Sequence, residues 1–196
     1  MRKVVARELE ESANIKTMMA RTLSAIIAEA AQIILDAFKE GKEVFLIGNG
    51  GSAADAQHIA AELAGRFKLE RRGLPAIALT TNTSVLTALA NDYGYERVFS
   101  HQLEALAKDK DILIAITTSG TSPNILKAVE TAHSKGVTVI GLTGAKGGKL
   151  KDSADLTIMV PSDDTPRIQE AHITIGHIIC HLVEKGLFGE SSGISR

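Results

Sequence analysis

Several residue types that define whole classes of protein are scarce in this chain. It has one cysteine, Cys180, in 196 residues, which excludes an internal disulfide framework. It has no tryptophan, four prolines and 4% aromatic residues, against 44% hydrophobic residues overall. The core must therefore be built from alanine, valine, isoleucine and leucine, as in proteins whose helices pack on a parallel sheet.

Net charge and long apolar segments are also lacking. The 22 basic and 23 acidic residues nearly cancel, so the sequence offers no broad positive surface for nucleic acid. No apolar run reaches the roughly 18 residues of a membrane span, and the charged start MRKVVARELEES is unlike an export signal. We therefore expect a cytoplasmic protein that binds neither nucleic acid nor membrane.

The first forty residues contain neither glycine nor proline and are predicted to be helical. A strong apolar stripe at helical spacing occupies residues 26–38, and this helix is predicted to end at Gly41. Residues 2–20 have a weaker stripe, which packs either on its own domain or on another subunit. We expect residues 1–41 to take part in oligomer contacts.

From residue 42 the pattern alternates short apolar runs with helical segments, which predicts βαβ units. Near-continuous apolar content is typical of parallel strands covered on both faces. The simplest architecture is one α/β domain over residues 1–196, with a five-stranded parallel sheet flanked by helices, an N-terminal helical extension and a loose tail at 186–196. The predicted strands are 44–47, 76–79, 112–116, 137–142 and 156–160, and the predicted helices are 52–66, 83–91, 98–107, 123–135 and 167–185.

In such folds ligands bind beyond the carboxyl ends of the strands, where the sequence places two unusual loops. The first, GNGGSA at 48–53, opens a helix, and its glycines let backbone N–H groups approach an anion. It matches G-x-G-x-x-A, but a dinucleotide site also needs an acidic residue after the second strand, where the sequence reads LTTN at 79–82. A nucleotide P-loop is excluded because no Gly-Lys-Ser/Thr follows.

The second loop, TTSGTSP at 117–123, also joins a strand to a helix. Ser122 is placed to cap that helix and Pro123 to occupy its first position. An ordinary capped turn needs only one hydroxyl, whereas this loop surrounds Gly120 with several. We therefore expect it to bind the phosphate of a small molecule through hydroxyls and backbone N–H groups.

His58 and Glu62 are four residues apart in the helix after the first loop, so they share one face. They could chelate a metal or act as a base and its orienting group, although such pairs are also common on solvated faces. A later helix carries Gln169, Glu170, His172, His177 and His181, although a single histidine is more often a core or surface residue than a ligand. The basic cluster Arg66, Lys68, Arg71 and Arg72 is better explained as a solvated loop than as a guide for anionic sugars.

Four stretches together carry a resemblance that covers almost the whole chain, to about Leu187. They are GNGGSAADAQHIAAEL (48–63), PAIALTTNTSVLTALANDYGYE (75–96), AITTSGTSPN (115–124) and RIQEAHITIGH (167–177). In these stretches the chain resembles the sugar isomerase (SIS) superfamily and, within it, the phosphoheptose isomerase family. Thr117 stands where many members have serine, a change that keeps the hydroxyl.

The resemblance implies a three-layer SIS fold and an aldose–ketose isomerase. The family reaction converts sedoheptulose 7-phosphate to D-glycero-D-manno-heptose 7-phosphate through an enediolate. This is the first step of ADP- or GDP-heptose biosynthesis for lipopolysaccharide or related surface polysaccharides. The resemblance also implies one zinc per subunit and a homotetramer with active sites near subunit contacts.

The same resemblance implies the site residues. Glu62 and His177 would be the acid–base pair, and the zinc ligands would be His58, Glu62, Gln169 and His177. Because Gln169 and His177 are eight residues apart, about 12 Å along a regular helix, either Gln169 lies on an irregular turn after Pro166 or the two contacts come from different subunits. The substrate-binding residues would be Asn49, Gly50, Gly51, Glu62, Asn91, Asp92, Thr117, Thr118, Ser119, Ser122 and Gln169.

A second class of function shares this fold. The alternative is a non-catalytic SIS protein that associates with a replication initiator, which resembles the chain less because Glu62 and His177 are retained here. SIS glutamine amidotransferases are disfavoured, since they need an N-terminal cysteine nucleophile and residue 2 is arginine. The retained acid and histidine therefore favour an enzyme.

Overall fold

The computed structural model describes residues 1–189 and has the predicted parallel sheet. Five strands lie in the order β2-β1-β3-β4-β5, and every pair of neighbours is parallel. This order confirms the expected α/β class. The strands are β1 Val44–Gly48, β2 Ala76–Ala78, β3 Ile112–Ile116, β4 Thr138–Thr143 and β5 Leu156–Met159.

The predicted helices follow the strands, and a further short helix, which the sequence pattern did not predict, lies between the fourth and fifth strands. The long last helix extends beyond the predicted 167–185 at both ends, so residues 186–188 of the predicted tail are helical. Residues 190–196 of that tail lie outside the described part of the chain. The helices are α1 Arg2–Thr22, α2 Ser24–Lys39, α3 Gly51–Ala64, α4 Thr83–Tyr93, α5 Ser100–Leu106, α6 Pro123–Ser134, α7 Leu150–Ser153 and α8 Thr165–Phe188, with a 3-10 turn at Tyr95–Arg97.

The sheet forms the middle of three layers. Alternate residues of β1 point to opposite faces, so Val44 and Leu46 join one core while Phe45 and Ile47 join the other. The first core includes α2, α3 and α8, and the second includes α5 and α6. All five residues of β1 and of β3 are buried, because helices cover both faces of these strands.

Helix α1 is the least covered element. Met19 is the buried residue in this helix, whereas Val4, Val5, Leu9 and Met18 are exposed. No single helix within residues 1–189 is long and apolar enough to cross a membrane, and α1 and α2 meet that test of length and composition only as a pair bent by 73°. The weak apolar stripe predicted at residues 2–20 is therefore left mostly uncovered by the chain's own fold.

The parallel register brings the two predicted binding loops together. Gly48 at the end of β1 pairs with Ile116 at the end of β3, so the segments that follow both strands start side by side. The loop after β4 supports the second of them, because Gly120 has a φ of +67° and a Cβ there would overlap the carbonyl of Gly147. Only glycine fits this contact.

Candidate active site

The first loop makes an abrupt turn from β1 into α3. A Cβ at Gly48 would overlap the backbone of Ser52, and Gly50 has a φ of +55°. Both positions therefore need glycine, and α3 begins at Gly51 with the exposed backbone of Gly50 at its N-cap. The N–H groups of Ser52 and Ala53 already donate to the carbonyls of Asn49 and Gly50, so within the described residues the N–H of Gly51 is the group at the helix start that remains available to an anion.

The second loop forms a network of hydroxyls. The Oγ1 of Thr117 lies 3.1 Å from the Oγ of Ser122 and 3.4 Å from the Oγ of Ser119. Ser122 and Pro123 occupy the predicted positions at the start of α6, but the Ser122 hydroxyl bonds Thr117 rather than capping the helix. The exposed Ser119 can serve a phosphate, whereas the start of α6 offers few N–H groups, because Pro123 has none and those of Ile125 and Leu126 already have acceptors.

A polar cleft adjoins this loop. Its volume is about 210 Å³, and Thr118 and Ser119 are among the residues that line it. Lys146 and Asp163 also line it, and the Nζ of Lys146 lies 3.7 Å from an Oδ of Asp163. The cleft therefore contains a lysine as well as residues of the predicted phosphate loop, and the sequence analysis did not select this lysine.

The third predicted segment lies at the end of α4. Asn91 donates a hydrogen bond from its side chain to Asp92 at 2.8 Å, and both residues are exposed. The hydroxyl of Tyr95, just beyond them, donates to Asn49 of the first loop at 3.2 Å. Asn49 also bonds the side chain of Asn124 in α6, so residues near all three predicted segments meet at Asn49.

The predicted acid–base pair meets where α3 and α8 pack side by side. His58 Nε2 lies 2.9 Å from His177 Nε2 and 3.4 Å from Glu62 Oε1, although His177 comes 119 residues after His58. One ligand atom from each of the three residues lies within 4.8 Å of the others. We call His58, Glu62 and His177 the triad.

The donor chemistry of the triad fits a metal. Two nitrogens bound to one tetrahedral zinc at about 2.0–2.1 Å are roughly 3.3 Å apart, close to the separation of the two imidazoles. Two unprotonated nitrogens at this distance repel each other unless a proton or a cation lies between them. Nitrogen and carboxylate ligands are those that zinc prefers, so the triad is compatible with a bound metal.

Gln169 lies apart from the triad. Its side chain touches Gly51 at the start of α3. Gly51 precedes His58 by seven residues, which is about 10 Å along the helix. Helix α8 is continuous from Thr165, so an irregular turn does not bring Gln169 towards His177. A single chain thus assembles three of the four predicted zinc ligands, and a ligand role for Gln169 stays a prediction that needs a second subunit.

A buried ion pair holds the loop beside the triad. Arg71 donates from Nε to Glu184 at 2.8 Å, and both side chains are 1% exposed. Backbone N–H groups of the loop, including that of Phe67 at 3.0 Å, also donate to Glu184, and Arg71 donates to the backbone carbonyl of Glu62 at 2.8 Å. The Phe67 ring stacks on His177 with centroids 5.6 Å apart. We call this arrangement the Arg71–Glu184 clamp.

The clamp corrects the interpretation of the basic cluster as a solvated loop for Arg71 alone, since Arg66, Lys68 and Arg72 are exposed. Arg66 does lie on the surface, in an exposed pair with Glu70, but Arg71 is in the interior. Burial raises the pKa of Glu184, and the hydrogen bonds from the loop and Arg71 outweigh this effect and hold the pKa below its usual range. Glu184 is therefore ionised in its buried site, where Arg71 balances its charge.

Two other groups on α8 are unsuited to catalysis. His172 is fully buried, and burial lowers its pKa to about 4, so it is a neutral core residue. Cys180 is also buried, and its burial, followed by the charge of Glu62, raises its pKa to about 12. A thiol with this pKa is not a nucleophile at neutral pH.

Comparison with known proteins shows the family to which the chain belongs. A family model described as "SIS domain" matches residues 9–144. A phosphoheptose isomerase of Trichlorobacter lovleyi is 50% identical over 196 residues, which is the whole of both chains. This chain belongs to the SIS family, among the phosphoheptose isomerases. It is accordingly a sugar-phosphate isomerase with the SIS fold.

Solved structures of phosphoheptose isomerases have the same fold. The enzyme from Francisella tularensis superposes with a TM-score of 0.91 at 40% identity, covering 93% of this chain and 97% of that one. The enzyme from Neisseria gonorrhoeae superposes with a TM-score of 0.89 at 41% identity, covering 94% and 98% of the two chains. The three layers and the N-terminal helical extension are therefore those of the phosphoheptose isomerases.

The clamp predicts a large difference in stability between two arginine variants. Arg71→Leu leaves the Glu184 carboxylate buried without its cation, and we expect the free energy of unfolding to fall by about 3–5 kcal/mol. Arg66→Ala removes an exposed ion pair, and we expect it to lower the free energy of unfolding by less than about 1 kcal/mol. Urea unfolding at one fixed protein concentration measures both. Equal losses in the two variants would show that the clamp does not stabilise the fold.

Proposed function

We propose that this chain converts sedoheptulose 7-phosphate to D-glycero-D-manno-heptose 7-phosphate, the first step in making heptose for lipopolysaccharide or a related surface polysaccharide. The observation that carries the proposal is the meeting of Glu62 and His177 in a chain that belongs to the phosphoheptose isomerases. We place the reaction in the cytoplasm, in keeping with a chain whose one cysteine forms no disulfide.

The reaction moves a proton between two adjacent carbons of the sugar. Glu62 removes a proton from C1 while His177 gives one to the carbonyl oxygen on C2, which produces the enediolate or enediol. Glu62 then returns its proton to C2, the C1 hydroxyl gives up its proton to His177, and C1 becomes the aldehyde. Both groups end as they began, so the cycle balances.

A metal held by the triad would add electrostatic stabilisation. His58, His177 and one oxygen of Glu62 would hold it, and its charge would stabilise negative charge on the sugar oxygens. Glu62 has two carboxylate oxygens, so one could bind metal while the other exchanges the proton. His177 has two ring nitrogens, so Nε2, which faces His58, could bind metal while Nδ1 exchanges the proton. Metal binding would lower the basicity of that carboxylate.

The loops supply the substrate contacts in this proposal. The phosphate binds the hydroxyls and backbone N–H groups of the second loop, near the cleft that Thr118 and Ser119 line. The remaining predicted substrate-binding residues stay part of the proposal: Asn49, Gly50, Gly51, Asn91, Asp92, Thr117, Ser122 and Gln169. The sugar chain then extends towards the triad.

Glu62→Gln tests the acid–base assignment. The amide keeps the size of the side chain but cannot take a proton, so we expect kcat to fall by about 10²–10⁴-fold while the substrate still binds. Glu70→Gln makes the same change at an exposed glutamate and should leave kcat unchanged. NMR detection of the aldoheptose phosphate gives the rates, and calorimetry gives the binding.

Two results would contradict this assignment. A loss under tenfold in Glu62→Gln would remove Glu62 as the base. No turnover by wild-type protein supplied with zinc would remove the enzyme function and leave the initiator-associating type of SIS protein as the better account.

Zinc binding at the triad is a separate prediction. We expect one zinc per chain by elemental analysis, and at least tenfold weaker zinc binding by calorimetry in His58→Ala, because a nitrogen ligand is lost. His133→Ala is the matched control, since His133 pairs with Asp155 away from the triad. Wild-type protein that keeps full activity after chelation, with no metal by elemental analysis, would exclude a catalytic metal.

We further propose a homotetramer with sites near subunit contacts. An apolar groove between α1, α2 and α8 remains open in the single chain, and apolar surface of this kind is commonly covered by another subunit. A second subunit would also allow a Gln169 to approach a triad. The groove is lined by Lys16, Met19, Ala20, Ser24, Ile27, Ala28, Thr174, Ile178 and Leu182.

Light scattering tests the assembly. Wild-type protein should have the mass of four chains, and Ile178→Glu should shift it towards smaller species because a charge enters the groove. Leu106→Glu, at an equally exposed leucine on α5, should leave the mass unchanged. Wild-type protein that is monomeric at micromolar concentration and still active would refute both the tetramer and the shared site.

A further inference from the structure

Asn49 is the point at which three separate segments of the site are joined. Its side chain exchanges two hydrogen bonds with Asn124, at 2.9 Å from its Nδ2 and at 2.8 Å to its Oδ1. Tyr95 bonds the same Oδ1 at 3.2 Å. Asn124 is in the first turn of α6, so the first loop, the second loop and the turn after α4 all meet at one amide.

The orientation of both amides follows from one backbone group. The N–H of Ile125 can only donate, and it is shared between the carbonyl of Ser122 at 3.1 Å and the Asn124 side chain at 3.0 Å. The Asn124 side chain must therefore present its oxygen, not its nitrogen, to this N–H. The nitrogen of Asn124 therefore faces Asn49 and donates to the Asn49 oxygen. The Asn49 nitrogen in turn donates to the Asn124 oxygen, and the Tyr95 hydroxyl is a second donor to the Asn49 oxygen.

Among the contacts of residues 1–189, this orientation leaves Asn49 one free hydrogen-bonding group. Its oxygen already accepts from Asn124 and Tyr95, which uses both lone pairs. Its nitrogen has two hydrogens, and only one of them is used by Asn124. The free group is a single N–H, so Asn49 can donate to a ligand but has no acceptor left to offer.

We propose that Asn124 and Tyr95 are positioning residues that orient the Asn49 amide so that its free N–H donates to an oxygen of the bound sugar phosphate. The inference rests on the proposed function, which places Asn49 against the substrate. Asn124 is 3% exposed, and a buried amide is retained at low cost only when its polar atoms are bonded. Its three hydrogen bonds serve the start of α6 and Asn49.

The first experiment removes the donors that orient Asn49. Asn124→Asp keeps the oxygen facing Ile125 but turns a second oxygen towards the Asn49 oxygen, so we expect the KM for sedoheptulose 7-phosphate to rise about tenfold with kcat changed less than threefold. Tyr95→Phe removes one donor at an exposed side chain and should raise KM by about two- to fivefold. Asn82→Asp is the control, because Asn82 uses only its oxygen, to cap α4.

The second experiment tests whether Asn49 donates a hydrogen bond to the substrate or accepts one from it. Asn49→Asp keeps the acceptor for Asn124 and Tyr95 but removes both N–H groups, so KM should rise at least as much as in Asn49→Ala. If Asn49 instead accepted a hydrogen bond from the substrate, Asn49→Asp would keep the wild-type KM, and this result would overturn the inference. The inference would also be overturned if Asn124→Asp and Tyr95→Phe both kept the wild-type KM.

A third measurement separates this inference from the proposed function. A double-mutant cycle measures the free energy of unfolding in urea for Asn49→Ala, Asn124→Ala and the double variant. The two single losses should be clearly non-additive, because each change removes the same pair of hydrogen bonds. Additive losses of stability would overturn the coupling of the two amides, whether or not the protein turns over the sugar.

A wild-type protein that does not turn over the sugar but shows the coupling would contradict the proposed isomerase function and the substrate contact. The fixed orientation of the two amides would still hold. If Asn124→Asp fails to fold, Tyr95→Phe and Asn49→Asp still decide the inference.

Discussion

The close parallel packing of α3 and α8 is the contact on which the proposed active site depends. A Cβ at Gly176 would overlap the side chain of Ile59, so the helices approach closely only because this position is glycine. That approach places His177 within 2.9 Å of His58, which lies one turn before Glu62. The clamp fixes the same pair of helices one to two turns further along and holds Phe67 against His177. The chemistry at the triad therefore depends on helix packing rather than on a mobile loop.

Local patterns in the sequence were enough to predict the sheet and its loops. Five apolar runs gave five parallel strands, because strands covered on both faces need continuous apolar side chains. The spacing of His58 and Glu62 also predicted their shared face. The partner of this pair could not be found in the same way, because His177 is 119 residues further along the chain. Only the resemblance to a family selected it.

Residues whose role depends on a distant partner were missed or misread. Arg71 looked like part of a solvated basic loop, since nothing local indicates that Glu184 lies against it 113 residues later. Asn124 and Tyr95 were not selected, because an asparagine after a turn and a tyrosine near the surface are common. Both bond Asn49 in the folded chain, Asn124 through two reciprocal hydrogen bonds and Tyr95 through its hydroxyl. The spacing of Gln169 and His177 along one helix already indicated that both could not bind the same metal within one chain. In the structure the side chain of Gln169 lies beside Gly51.

The buried thiol of Cys180 gives the chain a chemical reporter. It lies on α8 between His177 and Glu184, and a thiol that is both covered and protonated reacts very slowly with alkylating reagents. Because the sequence has one cysteine, any label it acquires comes from this position. The rate of labelling therefore measures how often α8 opens away from the neighbouring helices, the motion that would take the triad apart.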